Sequence, residues 1–122
     1  MSPHGVELSR AGDIVVARFE GDIDLANTPV VAARVLEAIP NDAFGLVVDL
    51  TDVRYIDSVG IRMLFTFVRS LQASRQAMAV VVPPDSPVRK LLKITHLDEA
   101  IVFRATVEDA AEALRESGTP NY

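Results

Sequence analysis

The sequence of 122 residues contains no cysteine. It therefore has no disulfide framework, no thiolate nucleophile and no cysteine-based metal site. Positive charge is also scarce, because 12 Lys and Arg residues stand against 17 Asp and Glu residues, for a net charge of -5 at pH 7. This acidic balance argues against a nucleic acid or an anionic membrane as a partner.

Long apolar runs and targeting signals are missing too. No apolar stretch approaches the roughly 18–20 residues that a membrane-spanning helix needs. The first residues lack the basic region and apolar core of a signal peptide, so we expect a cytoplasmic protein. A chain of this length, with 49% hydrophobic and 24% charged residues, fits a single globular domain over residues 1–122 with a tail at 117–122.

Histidine, the usual general base, occurs only twice in the chain. His4 lies in the N-terminal segment, and His96 fits a surface or helix-terminal position better than a catalytic one. Ser58 follows a predicted strand and precedes a predicted helix, as the nucleophile of an esterase does. Ile56, however, replaces the first glycine of the Gly-x-Ser-x-Gly motif. We therefore expect no enzymatic activity, with a small serine hydrolase as a remote alternative.

Cofactor motifs are absent as well. The Gly-x-x-x-x-Gly-Lys phosphate loop does not occur. Several aspartates follow the second and third predicted strands and could gather at one end of a sheet, which suggests a metal site. Without a ligand motif, roles in caps and turns explain them better, so we expect neither a metal nor a cofactor. These aspartates are Asp22, Asp24, Asp49, Asp52 and Asp57.

The most informative part of the chain surrounds Ser58. Residues 44–50 form a continuous apolar run, which predicts a buried strand. Residues 51–57 are polar and turn-like. From Ser58 to about Ala73 the apolar residues recur at helical spacing, which predicts a helix. The Ser58 side chain is predicted to cap this helix, whose N-terminus favours an anion. The predicted core stripe of the helix is Ile61, Leu64, Phe65, Val68 and Leu71.

The same helix carries more apolar residues than one stripe needs. Val59, Met63 and Phe67 lie on the other side, beside Arg62. They either pack against another element or form a docking face next to Ser58. Gly60 costs roughly 1 kcal/mol relative to alanine inside a helix. It either relieves crowding or allows close approach of another molecule.

Strands and helices alternate along the rest of the chain. After an opening hairpin, four helices alternate with three strands, which predicts an α/β fold with a mixed, largely parallel sheet of four to five strands. Thr28-Pro29 and Ser86-Pro87 are typical helix starts, although Asp24 or Asn27 could cap an earlier start. The predicted strands cover 6–9, 14–19, 44–50, 77–82 and 101–103, and the helices run over 28–39, 58–73, 87–94 and from 107 onward.

Several segments together resemble the STAS domain family, the bacterial anti-sigma factor antagonists. Residues 19–24 and 46–50 contribute, and residues 56–61, Ile-Asp-Ser-Val-Gly-Ile, are similar to the family's motif Asp-Ser-(Ser/Thr/Val)-Gly-(Leu/Ile). Residues 86–92 resemble the family's third helix, and the match covers roughly residues 5–115. The chain departs from the family at Val59, where many members have a second hydroxyl, and at His96, where a glycine would ease a left-handed turn.

The resemblance implies a phosphorylation switch that works by exchange of partners. The unphosphorylated protein would bind an anti-sigma factor, often a serine kinase, and thereby free a sigma factor. Phosphorylation of Ser58 would end this binding, and a phosphatase would restore it. A STAS adaptor that works without phosphorylation, in a transporter or a signalling scaffold, is the alternative. We expect a monomer or weak dimer whose partner-binding residues are Asp22, Asp24, Asn27, Asp57, Val59, Gly60, Arg62 and Met63.

Overall fold

The computed structural model describes residues 6–23, 28–99 and 101–117. Within these residues the chain forms five β-strands, four α-helices and a single 3-10 turn at Leu97–Glu99. The strands are β1 (Val6–Ala11), β2 (Ile14–Ile23), β3 (Gly45–Ile56), β4 (Ala77–Val81) and β5 (Val102–Arg104). The helices are α1 (Thr28–Glu37), α2 (Ser58–Ala73), α3 (Pro87–Ile94) and α4 (Val107–Ser117).

The strands form one mixed sheet in the order β1-β2-β3-β4-β5. β1 runs antiparallel to β2, and every other neighbouring pair is parallel. The hairpin turns through Gly12, whose φ of +65° is accessible to glycine at little cost. The mixed, largely parallel sheet predicted from the alternation of elements is thereby confirmed.

Helices cover both faces of the sheet. Leu46, Val48 and Leu50 point from β3 into a core shared with α1, α2 and α3. Val47, one residue out of phase with them, points to the opposite face and packs with Ala110 of α4. Because successive side chains of a strand alternate between faces, a strand between two helical layers is apolar throughout, as residues 44–50 are.

β3 continues well past the end predicted for it. Its C-terminal half pairs with β2 up to Ile23 and Ile56, beyond the reach of β4, with register shifts that mark bulges. The turn predicted for residues 51–57 is therefore wrong. Val53 and Ile56 are buried while the residues between them are exposed, and this two-stranded extension carries Ser58 away from the body of the sheet.

The caps and turns of the second half of the chain are those that the sequence predicts. Ser86 caps α3, with its Oγ accepting a hydrogen bond from the Val88 N–H at 3.1 Å. His96 has a φ of +63°, the left-handed conformation expected at this position, and its exposed ring lies 2.8 Å from a Glu99 carboxylate oxygen. In the described parts of the chain, no helix has the length and apolar character to cross a membrane.

Candidate functional site

The candidate site lies where β3 passes into α2. The Asp57 N–H donates to the Ile23 carbonyl oxygen at 3.2 Å and closes the two-stranded extension. Ser58 follows as the first residue of α2 and is exposed to solvent. The predicted position of Ser58, at the start of the second helix and open to solvent, is confirmed.

The N-cap of α2 is Asp57 and not Ser58. Asp57 has an extended backbone, and its Oδ1 accepts hydrogen bonds from the N–H groups of Val59 at 2.9 Å and Gly60 at 3.0 Å. Aspartate and serine are about equally good caps, so the sequence Asp-Ser alone did not decide between them. Among the described residues, the Ser58 hydroxyl has no hydrogen-bond partner, which leaves it available for modification.

Gly60 is buried beneath this first turn. A Cβ placed on it would lie 2.6 Å from Cγ1 of Ile56 and 2.8 Å from Cγ2 of Ile23. Both atoms belong to β-branched side chains that have little freedom to move. Gly60 thus lets α2 approach the end of β2 and β3, and its predicted place in the partner-binding surface is wrong.

Gly60→Ala should destabilise the protein although it raises helix propensity. Overpacking of this kind costs typically 1–3 kcal/mol, against a propensity gain of at most about 1 kcal/mol. We expect a lower urea midpoint with an unchanged slope. Ser74→Ala, at the exposed C-terminal end of α2, serves as the control and should unfold like the parent. A Gly60→Ala variant more stable than the parent would contradict the packing role.

The α2 docking face proposed from the sequence is wrong for Met63 and Phe67. Met63 is 3% exposed and Phe67 is fully buried, both within the main core. α1 packs against α2, which accounts for the apolar residues beyond the first stripe. Ile61 and Phe65, predicted for the core, are only partly buried. The helix is therefore rotated about its axis relative to the prediction.

The exposed surface around Ser58 includes a residue that the sequence interpretation missed. Tyr55 is 54% exposed and pairs in register with Asp22 of β2. The sequence predicts a turn at this position, and the only local signal for Tyr55 is that an aromatic side chain stands just before the Asp-Ser pair. Arg62 is exposed and Val59 is half-buried. Asp24 and Asn27, also predicted for this surface, lie outside the described residues.

Asp49 and Asp52 make side-chain contacts within β3 and between β3 and β2. Asp49 is buried, and its Oδ1 accepts hydrogen bonds from the Thr51 N–H at 3.0 Å and the Thr51 hydroxyl at 2.6 Å. Asp52 forms an exposed ion pair with Arg18, and its carboxylate raises the pKa of that guanidinium. Within the described ranges, no group of three acidic, histidine or cysteine side chains could hold a metal ion.

Comparison with known proteins gives consistent matches. The family model described as the STAS domain matches residues 6–110. The anti-sigma-F factor antagonist RsfB of Mycobacterium tuberculosis is 26% identical, with 84% of this chain and 82% of the relative covered.

Solved structures share the fold. An anti-sigma factor antagonist from Mycobacterium paratuberculosis superposes with a TM-score of 0.80 at 23% identity, covering 93% of this chain and 97% of that one. The phosphorylated form of SpoIIAA, a Bacillus cell fate determinant, gives a TM-score of 0.67 at 22% identity, covering 90% of this chain and 99% of that one.

Proposed function

The chain belongs to the STAS domain family, and from this membership we propose that it is an anti-sigma factor antagonist switched by phosphorylation of Ser58. In the unphosphorylated state it binds an anti-sigma factor that is also a serine kinase, and the sigma factor is released. The observation that carries the proposal is the Ser58 hydroxyl, which is exposed at the start of α2 while Asp57 performs the capping.

The chemistry of the switch follows from this geometry. The kinase transfers the γ-phosphoryl group of ATP, so that a bond forms between the Ser58 oxygen and phosphorus while the bond to ADP breaks. The hydroxyl proton passes to a base of the kinase. The phosphate carries about -1.5 to -2 charges at pH 7. A helix N-terminus favours negative charge, so the fold survives the modification.

Loss of binding follows from the charge at the interface. The phosphate lies next to the Asp57 carboxylate, which is held at the helix N-terminus by two N–H groups. Like charges brought together in a desolvated interface cost several kcal/mol. A phosphatase that removes the phosphate restores binding. RsfB is named an antagonist of an anti-sigma factor and SpoIIAA has a phosphorylated form, which supports this mechanism.

The docking surface consists of Asp22, Tyr55, Ser58, Val59 and Arg62. Tyrosine and arginine are enriched among the residues that dominate binding energy at interfaces. Tyr55 lies on the β2–β3 extension and Arg62 lies on the exposed side of α2, so the two flank Ser58 from different elements. Both side chains are exposed and lie within four residues of Ser58 in the chain, so a partner that contacts them approaches Ser58 as well.

Tyr55→Ala should weaken binding of the anti-sigma partner at least about tenfold, a loss of roughly 1.4 kcal/mol or more. The melting temperature should change little because the side chain is mostly exposed. Ile94→Ala removes an apolar side chain that is 70% exposed at the end of α3, and it is the matched control. Equal affinities of Tyr55→Ala and Ile94→Ala in isothermal titration would remove Tyr55 from the docking surface.

The function itself is tested by capture from the native host followed by phosphosite mapping. We expect an ATP-binding anti-sigma factor to be captured and phosphate to be found on Ser58. Titration of that partner with phosphorylated and unphosphorylated protein should then show binding of the unphosphorylated form only. If both forms bound equally well, the phosphorylation switch would be refuted and the adaptor function would replace it.

A serine hydrolase is the less favoured function. A nucleophilic serine needs a general base within hydrogen-bond reach. The one histidine that the structure describes, His96, lies at the end of α3 and contacts Glu99 instead. Turnover of an activated ester that Ser58→Ala abolishes would support hydrolysis against this expectation.

A further inference from the structure

Arg62 lies one helical turn after Ser58. Both residues are exposed, and residues four apart on a helix have Cβ atoms about 5–6 Å apart on the same face. The Cα–Cβ bonds of a helix tilt toward its N-terminus, so the Arg62 side chain leans toward Ser58. Among the described residues, the Arg62 guanidinium has no ion-pair or hydrogen-bond partner.

Among the residues that the structure describes, a phosphate on Ser58 would find few other donors. The N–H groups of Val59 and Gly60 already donate to Asp57 at 2.9 and 3.0 Å. Arg54 also precedes the site, but four residues of extended chain place it about 13 Å away along the strand. The nearby acidic groups, Asp57 on the same turn and Asp22 on the neighbouring strand, repel a phosphate. Arg62 is the cation that the helix itself brings within reach.

We propose that Arg62 binds the phosphate of phosphorylated Ser58 within the same helix. This inference rests on the proposed function only in taking Ser58 as the modified residue. The planar guanidinium can form two parallel hydrogen bonds to phosphate oxygens. An anion four residues before a cation is also the favourable order on a helix.

The contact between Arg62 and the phosphate changes the charge that the docking surface presents to a partner. In the unphosphorylated protein, the Arg62 guanidinium is available to an acidic group of the anti-sigma factor. After phosphorylation it is held by the protein's own phosphate. One modification then adds negative charge to the surface and withdraws a cation from it, and both changes oppose binding of the same partner.

The test uses the full chain with phosphoserine installed at position 58. In phosphorus NMR the phosphate should titrate at a lower pH in the parent than in Arg62→Gln, because the guanidinium stabilises the dianion. Phosphorylation should also raise the melting temperature of the parent more than that of Arg62→Gln. Arg69→Gln is the matched control, since Arg69 is exposed two turns further along α2 and carries the same charge.

Two results would overturn the inference. One is an equal effect of Arg62→Gln and Arg69→Gln on the phosphate titration, which would indicate only the general loss of a positive charge. The other is an effect confined to Arg54→Gln, which would assign the phosphate to the strand. No partner is present in these measurements. A phosphorylated protein that still bound its partner would therefore refute the proposed function and leave the Arg62 contact standing.

Discussion

Ser58→Asp should lose binding of the anti-sigma partner by about 100-fold or more, whereas Ser58→Ala should bind like the parent. The new carboxylate stands beside the Asp57 carboxylate at the docking surface, and like charges in a desolvated interface cost several kcal/mol. Each 1.4 kcal/mol is a tenfold change in affinity. Ser58→Ala adds no charge, and the kinase can no longer switch it off.

Both variants should fold normally. Ser58 is the first residue of α2 and does not cap it, and an acidic residue in the first turn is favourable for a helix. Ser58→Asn is the matched control, because asparagine has the size of aspartate without its charge. Binding by isothermal titration should therefore rank Ser58→Ala and Ser58→Asn above Ser58→Asp. Loss of binding in Ser58→Asn as severe as in Ser58→Asp would indicate a steric cause and contradict the charge mechanism.

Met63→Glu should destabilise the protein by about 3–5 kcal/mol, enough to threaten the fold, since single domains are stable by only about 5–15 kcal/mol. Met63 is 3% exposed within the core formed by the sheet and helices α1 to α3. A carboxylate there loses its hydration among the apolar side chains of this core. We expect the melting temperature to fall by more than about 10 °C.

Two controls isolate the effect of burial. Met63→Leu keeps the apolar character and approximate volume and should cost less than about 1.5 kcal/mol. Arg62→Glu introduces the same carboxylate at the neighbouring exposed position and should change the melting temperature little. A Met63→Glu protein that melted like the parent would mean that Met63 faces solvent, as the sequence had suggested.

Local sequence signals predicted most of the element order and the position of the site. The apolar run at 44–50 and the Ser86-Pro87 pair are signals that depend only on residues close together in the chain. The structure places β3 and α3 at these positions. The 56–61 motif predicted the family, which the match to residues 6–110 confirms. It also placed Ser58 at an exposed helix start, because a strand, a polar segment and a helix follow one another directly in the chain.

The tertiary structure alone decided which residues around Ser58 face solvent. α2 has apolar residues around more than half of its circumference, and periodicity could not show that Met63 would enter the core that α1 and α2 share. The length of β3 depended on pairing with β2, some thirty residues earlier in the chain. That pairing turned a polar segment into strand and exposed Tyr55. Contacts between segments that are distant in the chain determine these features, so no local sequence pattern could predict them.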